Sequence, residues 1–467
     1  MSRHCRSFSF YAAAEISTTF NYNMSTYRYC LRNYHAVHTA DLQIDGITVV
    51  AGNNGNGKST LARWLHYVVY ASCLFEDGAF NLLRQEIRQM LSKLYRAYIE
   101  MQAESTHIEY DTSFLSTKNT IDNYDKSKIN QLLLDSRVAF LNFSDDLELF
   151  LNSSSTAKKS RIIDFLASGY EGVNLDRDDF AQAYRSLLLE NLKIVETKYN
   201  DIISRRPVEV AKTIVKDHFR DQSPMPQDIH LLEDGVDILE NGRLGALLGI
   251  NDTIYVDTPM AVDDNINGWP LWDDLRRKMV ELAAGNGVQQ ELSVDAQTIL
   301  HQINTLLGGE VTVVKDATGK KKMRLRQGEH VDISLNDAAT GMKTMAYLGR
   351  LLVNGYLTEH TLLIIDEPEA HLHPEWIVEF ARLLVMLNKL LGVKVVISTH
   401  SPDMVAAIHY ISEKEGTAET TTFYLSRPSD EVADQFDFVK DEDATNNIFE
   451  SFNQSFNLID QYGESDE

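Results

Sequence analysis

Residues 361–375 read TLLIIDEPEAHLHPE. The four apolar residues 362–365 run without alternation, which is typical of a strand buried on both faces of a parallel sheet. Asp366 and Glu367 follow at once, so we expect both carboxylates at the C-terminal edge of that strand, where open α/β sheets bind ligands. One carboxylate there can hold Mg²⁺ and its neighbour can polarise an attacking water. Taken alone, the stretch also permits a purely structural interpretation.

A glycine-rich stretch upstream favours the functional interpretation. Residues 52–59 read GNNGNGKS and fit the phosphate-loop pattern GxxxxGK[ST] at each fixed position. Residues 47–50 predict a strand before this loop, and residues 59–65 predict a helix after it. The glycines let successive backbone N–H groups face a phosphate, and the helix N-terminus adds partial positive charge. We therefore predict nucleoside triphosphate binding by Gly52, Asn53, Asn54, Gly55, Asn56, Gly57, Lys58, Ser59 and Thr60.

The composition narrows the class of protein. The chain has 467 residues, 43% of them hydrophobic and 24% charged, with a formal net charge of −24. Such an acidic balance argues against a chain coated in nucleic acid, although it permits a local basic groove. No run has the length of a membrane span, so no membrane partner is expected. Cys5, Cys30 and Cys73 form neither a metal-ligand spacing nor a disulfide framework, which favours a reducing cytoplasm.

Five segments are predicted along the chain. Residues 1–25 are expected to be a disordered leader, with Met24 as an alternative start just before the first strand. Residues 26–144 and 250–430 are the two parts of a nucleotide-binding head, separated by a helical insertion over 145–249. Residues 431–467 are an acidic tail with a short helix. Residues 107–110 and 138–141 are predicted strands separated by a polar loop, and residues 180–203 a short helical arm of about 35–40 Å.

Three further sites are candidates, and two of them have two interpretations. Thr340 and Gly341 begin a predicted helix and form another ready anion site. His400 follows a predicted buried strand, so it either binds a γ-phosphate or is a satisfied loop histidine. Tyr34 either stacks on adenine or is a packed tyrosine.

Weaker candidates complete the set. Residues 320–322 are three lysines at a predicted hairpin tip, either solvated or in contact with nucleic acid. Two histidines, His371 and His373, lack a third ligand and make a weak zinc site. Candidate γ-phosphate sensors between which the sequence does not choose are Gln85, Gln89 and Gln102.

The motifs together resemble a known class of ATPase. GNNGNGKS (52–59), ATGMK (339–343), LLIIDEPEAHLHP (362–374) and STHSP (398–402), in this order, are similar to the heads of ABC-class ATPases. Within that class the resemblance is to the SMC, RecF and OLD group and to Septu-type anti-phage ATPases. It covers about residues 25–110 and 250–425. It implies an α/β fold, a P-loop ABC-type head with a mixed sheet flanked by helices, and two heads that sandwich two ATP molecules.

The resemblance also implies a role for individual residues. Lys58 and Ser59 are expected to bind phosphate and Mg²⁺, and Asp366 to support Mg²⁺. Glu367 is expected to activate water, and His400 to act as the switch histidine.

Two further segments receive roles from the same resemblance. Residues 369–373 correspond to a dimer-facing loop called the D-loop. Thr340 and Gly341 belong to the signature that completes the other head's ATP site. The family has a serine two or three residues before this glycine, whereas here residues 338–340 are Ala, Ala and Thr, so Thr340 is expected to replace the missing hydroxyl.

The expected function is that of an ATPase that binds ATP and Mg²⁺ and acts as a dimerising switch in a DNA-directed complex. The expected partners are a second copy of the chain, a separate nuclease or other effector subunit, and DNA. Only 67 residues follow His400, too few for the toprim nuclease domain of OLD-type proteins. Anti-phage defence is the first expectation, a DNA repair or recombination ATPase the alternative, and a transporter subunit a less favoured third.

Overall fold

The computed structural model describes residues 25–104, 110–111, 113–168, 176–257, 270–283, 291–370, 372–443 and 447. The helices in these ranges are α1 (Lys58–Cys73), α2 (Phe75–Glu104), α3 (Ser113–Thr120), α4 (Ile129–Ser153), α5 (Thr156–Ala167), α6 (Phe180–Arg205), α7 (Val208–Phe219), α8 (Pro270–Val280), α9 (Val294–Leu307), α10 (Thr340–Val353), α11 (Pro374–Leu391) and α12 (Pro402–Glu415). The strands are β1 (Tyr27–Tyr34), β2 (Val37–Gln43), β3 (Ile47–Ala51), β4 (Asp228–Glu233), β5 (Val236–Asp237), β6 (Asp252–Val256), β7 (Glu310–Lys315), β8 (Lys321–Gln327), β9 (Val331–Ser334), β10 (Thr361–Asp366), β11 (Lys394–Thr399), β12 (Thr421–Pro428) and β13 (Phe436–Lys440).

A ten-stranded mixed sheet organises the head. Its strand order is β5-β4-β1-β2-β13-β12-β3-β11-β10-β6. The strands from β12 to β6 are parallel, so their carboxyl ends share one edge. The other side contains the antiparallel strands β5, β4, β1 and β2, and β13 joins the two sides. The predicted α/β fold with a mixed sheet flanked by helices is confirmed.

Two apolar cores on opposite faces of the sheet explain the unbroken apolar strand. In β10, Leu363 and Ile365 pack into the core that includes α9 to α12. Leu362 and Ile364 pack into the core on the other face, which includes α1 and α7. All six residues of β10 are buried, so period-two alternation is lost because both faces are apolar.

Helices α2 to α6 form a third core of their own, which we call the helical domain. This differs from the predicted boundaries of the insertion. The boundary at 144/145 falls inside α4, and β4, predicted within the insertion, pairs with β1 in the main sheet. The strand predicted at 138–141 is wrong, since these residues are helical. The polar loop predicted between the two strands contains α3 and short 3₁₀ turns.

Smaller elements also refine the predicted organisation. The hairpin β7–β8 is confirmed, and β9 adds an unpredicted third antiparallel strand. The three lysines at 320–322 are exposed at its tip. The predicted tail from 431 contains β13, which pairs with β12 and β2. Three predicted segments lie, except for one residue each, outside the described residues: the leader at 1–25, the strand at 107–110 and the tail helix near 446–456.

A membrane span was also sought in the structure. In the ranges given above, no helix is both long enough and apolar enough to cross a bilayer.

Candidate nucleotide-binding site

The P-loop, residues 52–59, connects β3 to α1 in a conformation that requires glycine. Gly52, Gly55 and Gly57 have φ values of 154°, 86° and 89°, in the region that side chains disfavour. A Cβ on Gly52 would lie 1.8 Å from Ser426 Oγ, whereas a Cβ on Gly55 would meet no atom within 4 Å. The base of the loop is therefore packed against β12 while its rim is open.

The N-terminus of α1 is left available to an anion. Gly57 is its N-cap residue and supplies no side-chain hydrogen bond to the first turn. The first N–H groups of a helix have no partner within the helix, and they bind phosphate well. Ser59 and Thr60 are half-buried in this first turn. The loop and helix thus present the donors that a phosphate needs.

Lys58 is folded into the loop. Its Nζ donates to Gly52 O at 2.8 Å and to Asn53 O at 2.7 Å. Burial lowers the pKa of the Lys58 amine, and nearby carboxylates, first among them Glu367, oppose this shift. A lysine satisfied only by backbone carbonyls can turn to a more strongly attracting phosphate without leaving a carboxylate unpaired.

Ser426 on β12 supports the loop from below, and no motif in the sequence predicted it. The buried side chain of Asn56 donates from Nδ2 to Ser426 Oγ at 2.8 Å. On the other side, a Cβ on Gly57 would lie 2.9 Å from Val37 of β2. These contacts hold the shape of the P-loop with residues from distant parts of the chain.

Asp366 ends β10, at the edge of the sheet where β3 leads into the P-loop. Tyr255 Oη donates to Asp366 Oδ2 at 3.2 Å, and Ser398 Oγ donates to Asp366 Oδ1. The carboxylate is buried. It is therefore an oriented acceptor, as expected of a group that supports a cation.

Glu367 follows β10 and does not keep the extended backbone conformation of the strand. Its φ is 49°, a left-handed value that is strained for a residue with a side chain. Its N–H still donates to Ser398 O at 2.8 Å. Its side chain is 38% exposed. Glu367 is thus the accessible carboxylate of the pair.

His400 lies beside two carboxylates at the end of β11. Its Nδ1 is 3.6 Å from Glu367 Oε1 and 3.2 Å from Glu369 Oε1. Glu369 Oε1 also accepts from Thr399 Oγ1 at 2.7 Å and from the His400 backbone N–H at 2.9 Å. Glu369, expected to face a second copy of the chain, is buried and faces His400 instead.

Asp257 joins these groups from the neighbouring strand. Val256 of β6 pairs with Ile365 of β10, so Asp257 lies beside Asp366. Trp272 Nε1 donates to Asp257 Oδ1 at 2.7 Å. Burial raises the pKa of the Asp257 carboxyl group, and the charge of Asp366 raises it further. Sequence reasoning missed this residue because the pairing of β6 with β10 spans more than a hundred residues.

The predicted signature residues, Thr340 and Gly341, lie away from the P-loop of the same chain. Thr340 and Gly341 begin α10, which packs on the opposite face of the sheet from α1. A Cβ on Gly341 would lie 3.3 Å from Leu372, in the segment predicted as the D-loop. The structure therefore groups these two residues with the D-loop segment and not with the P-loop of the same chain.

The structure places the weaker candidate residues in different surroundings. Tyr34 is packed, because its ring meets Trp64 edge-on and its hydroxyl donates to Pro224 O at 2.7 Å. His373 caps α11 by accepting from the Glu375 N–H. His371 lies outside the described residues. The three glutamines lie on the part of α2 whose buried face belongs to the helical domain: Gln85, Gln89 and Gln102.

The residues present fit ATP and Mg²⁺. Backbone N–H groups, the Lys58 ammonium and the Ser59 hydroxyl suit phosphate, and Ser59 with Asp366 supplies the hard oxygen ligands that Mg²⁺ shares with phosphate and water. In the described ranges, no group of three or more His, Cys, Asp or Glu side chains is arranged to hold a metal. Cation binding by two protein ligands together with the nucleotide is consistent with that finding.

Two family models match the sequence. Residues 31–216, which include the P-loop, match a model described as "AAA domain". Residues 278–406, which include Asp366, Glu367 and His400, match one described as "AAA domain, putative AbiEii toxin, Type IV TA system". A comparison with curated proteins found no match. The two matches support an ATPase of the AAA type.

Solved structures of SMC head domains are similar over most of the chain. One, from Pyrococcus furiosus, has an extended coiled coil and is bound to the C-terminal domain of ScpA; it is 8% identical, covers 94% of this chain and 99% of its own, and has a TM-score of 0.32. The head domain from Thermotoga maritima is 11% identical, covers 90% and 100%, and has a TM-score of 0.34. At these identities and scores the likeness carries no inference about function.

Proposed function

We propose that the protein binds and hydrolyses ATP with Mg²⁺ and acts as an ATP-driven dimerising switch. The observation that carries the proposal is the meeting of Lys58, Asp366, Glu367 and His400 at the edge of the sheet where β3, β10 and β11 end. This set provides a phosphate anchor, a cation support, an accessible carboxylate and a histidine.

The chemistry assigned to each residue follows from its surroundings. Lys58 exchanges its two carbonyl partners for β- and γ-phosphate oxygens. Ser59 and Asp366 would hold Mg²⁺, which when bound neutralises charge on those oxygens. The Glu367 carboxylate orients the attacking water and accepts its proton. His400, at 3.6 Å from Glu367, donates to the γ-phosphate.

Dimerisation is proposed from the arrangement of the signature. Thr340 and Gly341 begin a helix on the face of the sheet opposite α1, so they are available to the ATP of a second copy. Thr340 would supply the hydroxyl for that phosphate, and the exposed N-terminus of α11 would lie at the same interface. DNA and a separate nuclease or effector subunit are proposed as further partners, with the cytoplasm as the place of action.

The biological role is proposed to be anti-phage defence. Its support is the printed description of one matched model, which names a toxin and a type IV toxin–antitoxin system. That description favours defence over DNA repair.

Native mass spectrometry of the Glu367→Gln variant tests the switch. The protein is purified from its source cells and measured with Mg²⁺-ATP and, separately, with Mg²⁺-ADP. An even-numbered assembly of this chain that forms with ATP and separates with ADP is the expected result, and a bound second polypeptide would identify the effector. A monomer that retains bound ATP would contradict the dimerising switch and leave ATP binding intact.

A further inference from the structure

Glu369 has an arrangement that the proposed function does not use. Its side chain is only 6% exposed, although it is charged. One oxygen, Oε1, accepts from Thr399 Oγ1 and from the His400 backbone N–H. The other, Oε2, is buried and has no hydrogen-bond partner among the described residues. A buried carboxylate oxygen without a donor is costly, so its presence calls for a reason.

The ring of His400 has a matching feature, a buried nitrogen atom without a hydrogen-bond partner among the described residues. Its Nδ1 is buried and has no hydrogen-bond partner in the described part of the chain, although it lies 3.2 Å from Glu369 Oε1. The side chain as a whole is 38% exposed. Because Nδ1 is buried, the exposed part of the ring is the opposite edge, which carries Nε2. A small rotation of the ring would satisfy both Nδ1 and the carboxylate.

We infer that Glu369 is a positioning residue: with both ring nitrogens of His400 protonated, Nδ1–H donates to the Glu369 carboxylate and Nε2–H donates to the γ-phosphate. This inference rests on the proposed function, in which His400 meets the γ-phosphate. Hydrogen bonds of a catalytic site are often poorly aligned without substrate and tighten when it binds. The Nδ1–H to Glu369 bond forms in this way when phosphate binds at Nε2.

The backbone explains how Glu369 reaches His400. The turn after β10 is closed by the Ala370 N–H, which donates to Glu367 O at 3.0 Å. This turn points Glu367 outward and returns Glu369 to the end of β11. Thr399 Oγ1 then fixes Glu369 Oε1, so the carboxylate is anchored independently of the histidine ring.

The Glu369→Gln variant separates positioning from packing. It conserves the shape and the oxygen that accepts from Thr399 and from the His400 N–H, while it removes the charge and replaces the acceptor Oε2 by an NH2 group. We expect kcat for ATP hydrolysis to fall about ten- to a hundredfold, the range for a hydrogen bond to a charged group, while KM and ATP affinity stay unchanged. Glu413→Gln is the matched control, because Glu413 is an exposed partner of another histidine, His409, at 3.7 Å.

A double-mutant cycle with His400→Ala is the decisive test. Single-turnover hydrolysis of labelled ATP is measured for each single variant and for the pair. If Glu369 acts through His400, Glu369→Gln has no further effect once His400 is alanine. An equal loss in both backgrounds, or a loss of ATP binding, would overturn the inference in favour of a structural role.

A second variant covers the case in which Glu369→Gln does not fold. Thr399→Val removes the hydroxyl that anchors Glu369 and keeps the side-chain shape. The expected result is a smaller fall in kcat that also disappears in the His400→Ala background, and a loss that persists there would overturn the inference. Wild-type protein without any hydrolysis would instead refute the proposed function itself, so the two failures are distinguishable.

Discussion

Replacing Glu367 by glutamine tests the proposed chemistry most directly. The substitution keeps the size of the side chain and the N–H bond to Ser398 O at 2.8 Å, so the strained turn at φ 49° is retained. The side chain is 38% exposed, and loss of its charge should therefore change stability little. The change removes the accessible carboxylate that is proposed to accept a proton from the attacking water.

The expected magnitude follows from that role. General base catalysis contributes about 10²- to 10⁴-fold, so turnover should fall by at least about a hundredfold. ATP affinity should stay the same or increase, because Glu367 is one of the carboxylates whose charge acts on Lys58 and would repel a γ-phosphate. Phosphate release and equilibrium ATP binding are measured on the same preparation.

The control lies at the other end of β10. Glu359 is exposed just before β10, at the end opposite to Glu367, so Glu359→Gln changes the same charge away from the P-loop. It should hydrolyse ATP like the wild type. Wild-type turnover in Glu367→Gln would show that another group activates the water.

The other two predictions concern binding and stability. Lys58→Ala should abolish ATP binding and the thermal stabilisation that ATP gives the wild type, as measured by calorimetry and thermal unfolding, and tight binding by this variant would contradict the P-loop assignment. Burial lowers the pKa of His66 from 6.5 to about 3. Below pH 6.5 the unfolded chain therefore binds a proton that the folded chain excludes, and the free energy of unfolding should decrease on acidification towards pH 3 by up to about 1.4 kcal/mol per pH unit from this group. Urea unfolding between about pH 7 and 5 should show a flatter dependence for His66→Gln, and an unchanged slope would show that His66 is not the group responsible.

The parts of the site that are local in sequence could be predicted. The P-loop pattern and the apolar run before Asp366 each require only consecutive residues, and both lie where expected. The supports could not be predicted in the same way. Ser426 reaches Asn56, and Thr399 reaches Glu369, only because β12, β3, β11 and β10 are neighbours in the sheet.

The wrong strand at 138–141 has a simple physical cause. Four apolar residues in a row resemble a buried strand when periodicity is judged over so short a window. In α4, Ala139, Phe140, Phe143 and Leu147 form the buried face at helical spacing, while Val138 is 45% exposed. A longer window would have favoured the helix, and the same helix moves the edge of the helical domain away from the predicted boundary.

The sequence DEPE at 366–369 places three carboxylates in three different environments through one turn. Asp366 remains in the strand and accepts from Ser398 and Tyr255. Glu369 returns to accept from Thr399. Glu367 between them takes a backbone conformation that costs about 1–3 kcal/mol for a residue with a side chain. Glycine would relieve that strain and remove the accessible carboxylate, so the strain is best explained by a need for an acid at this position.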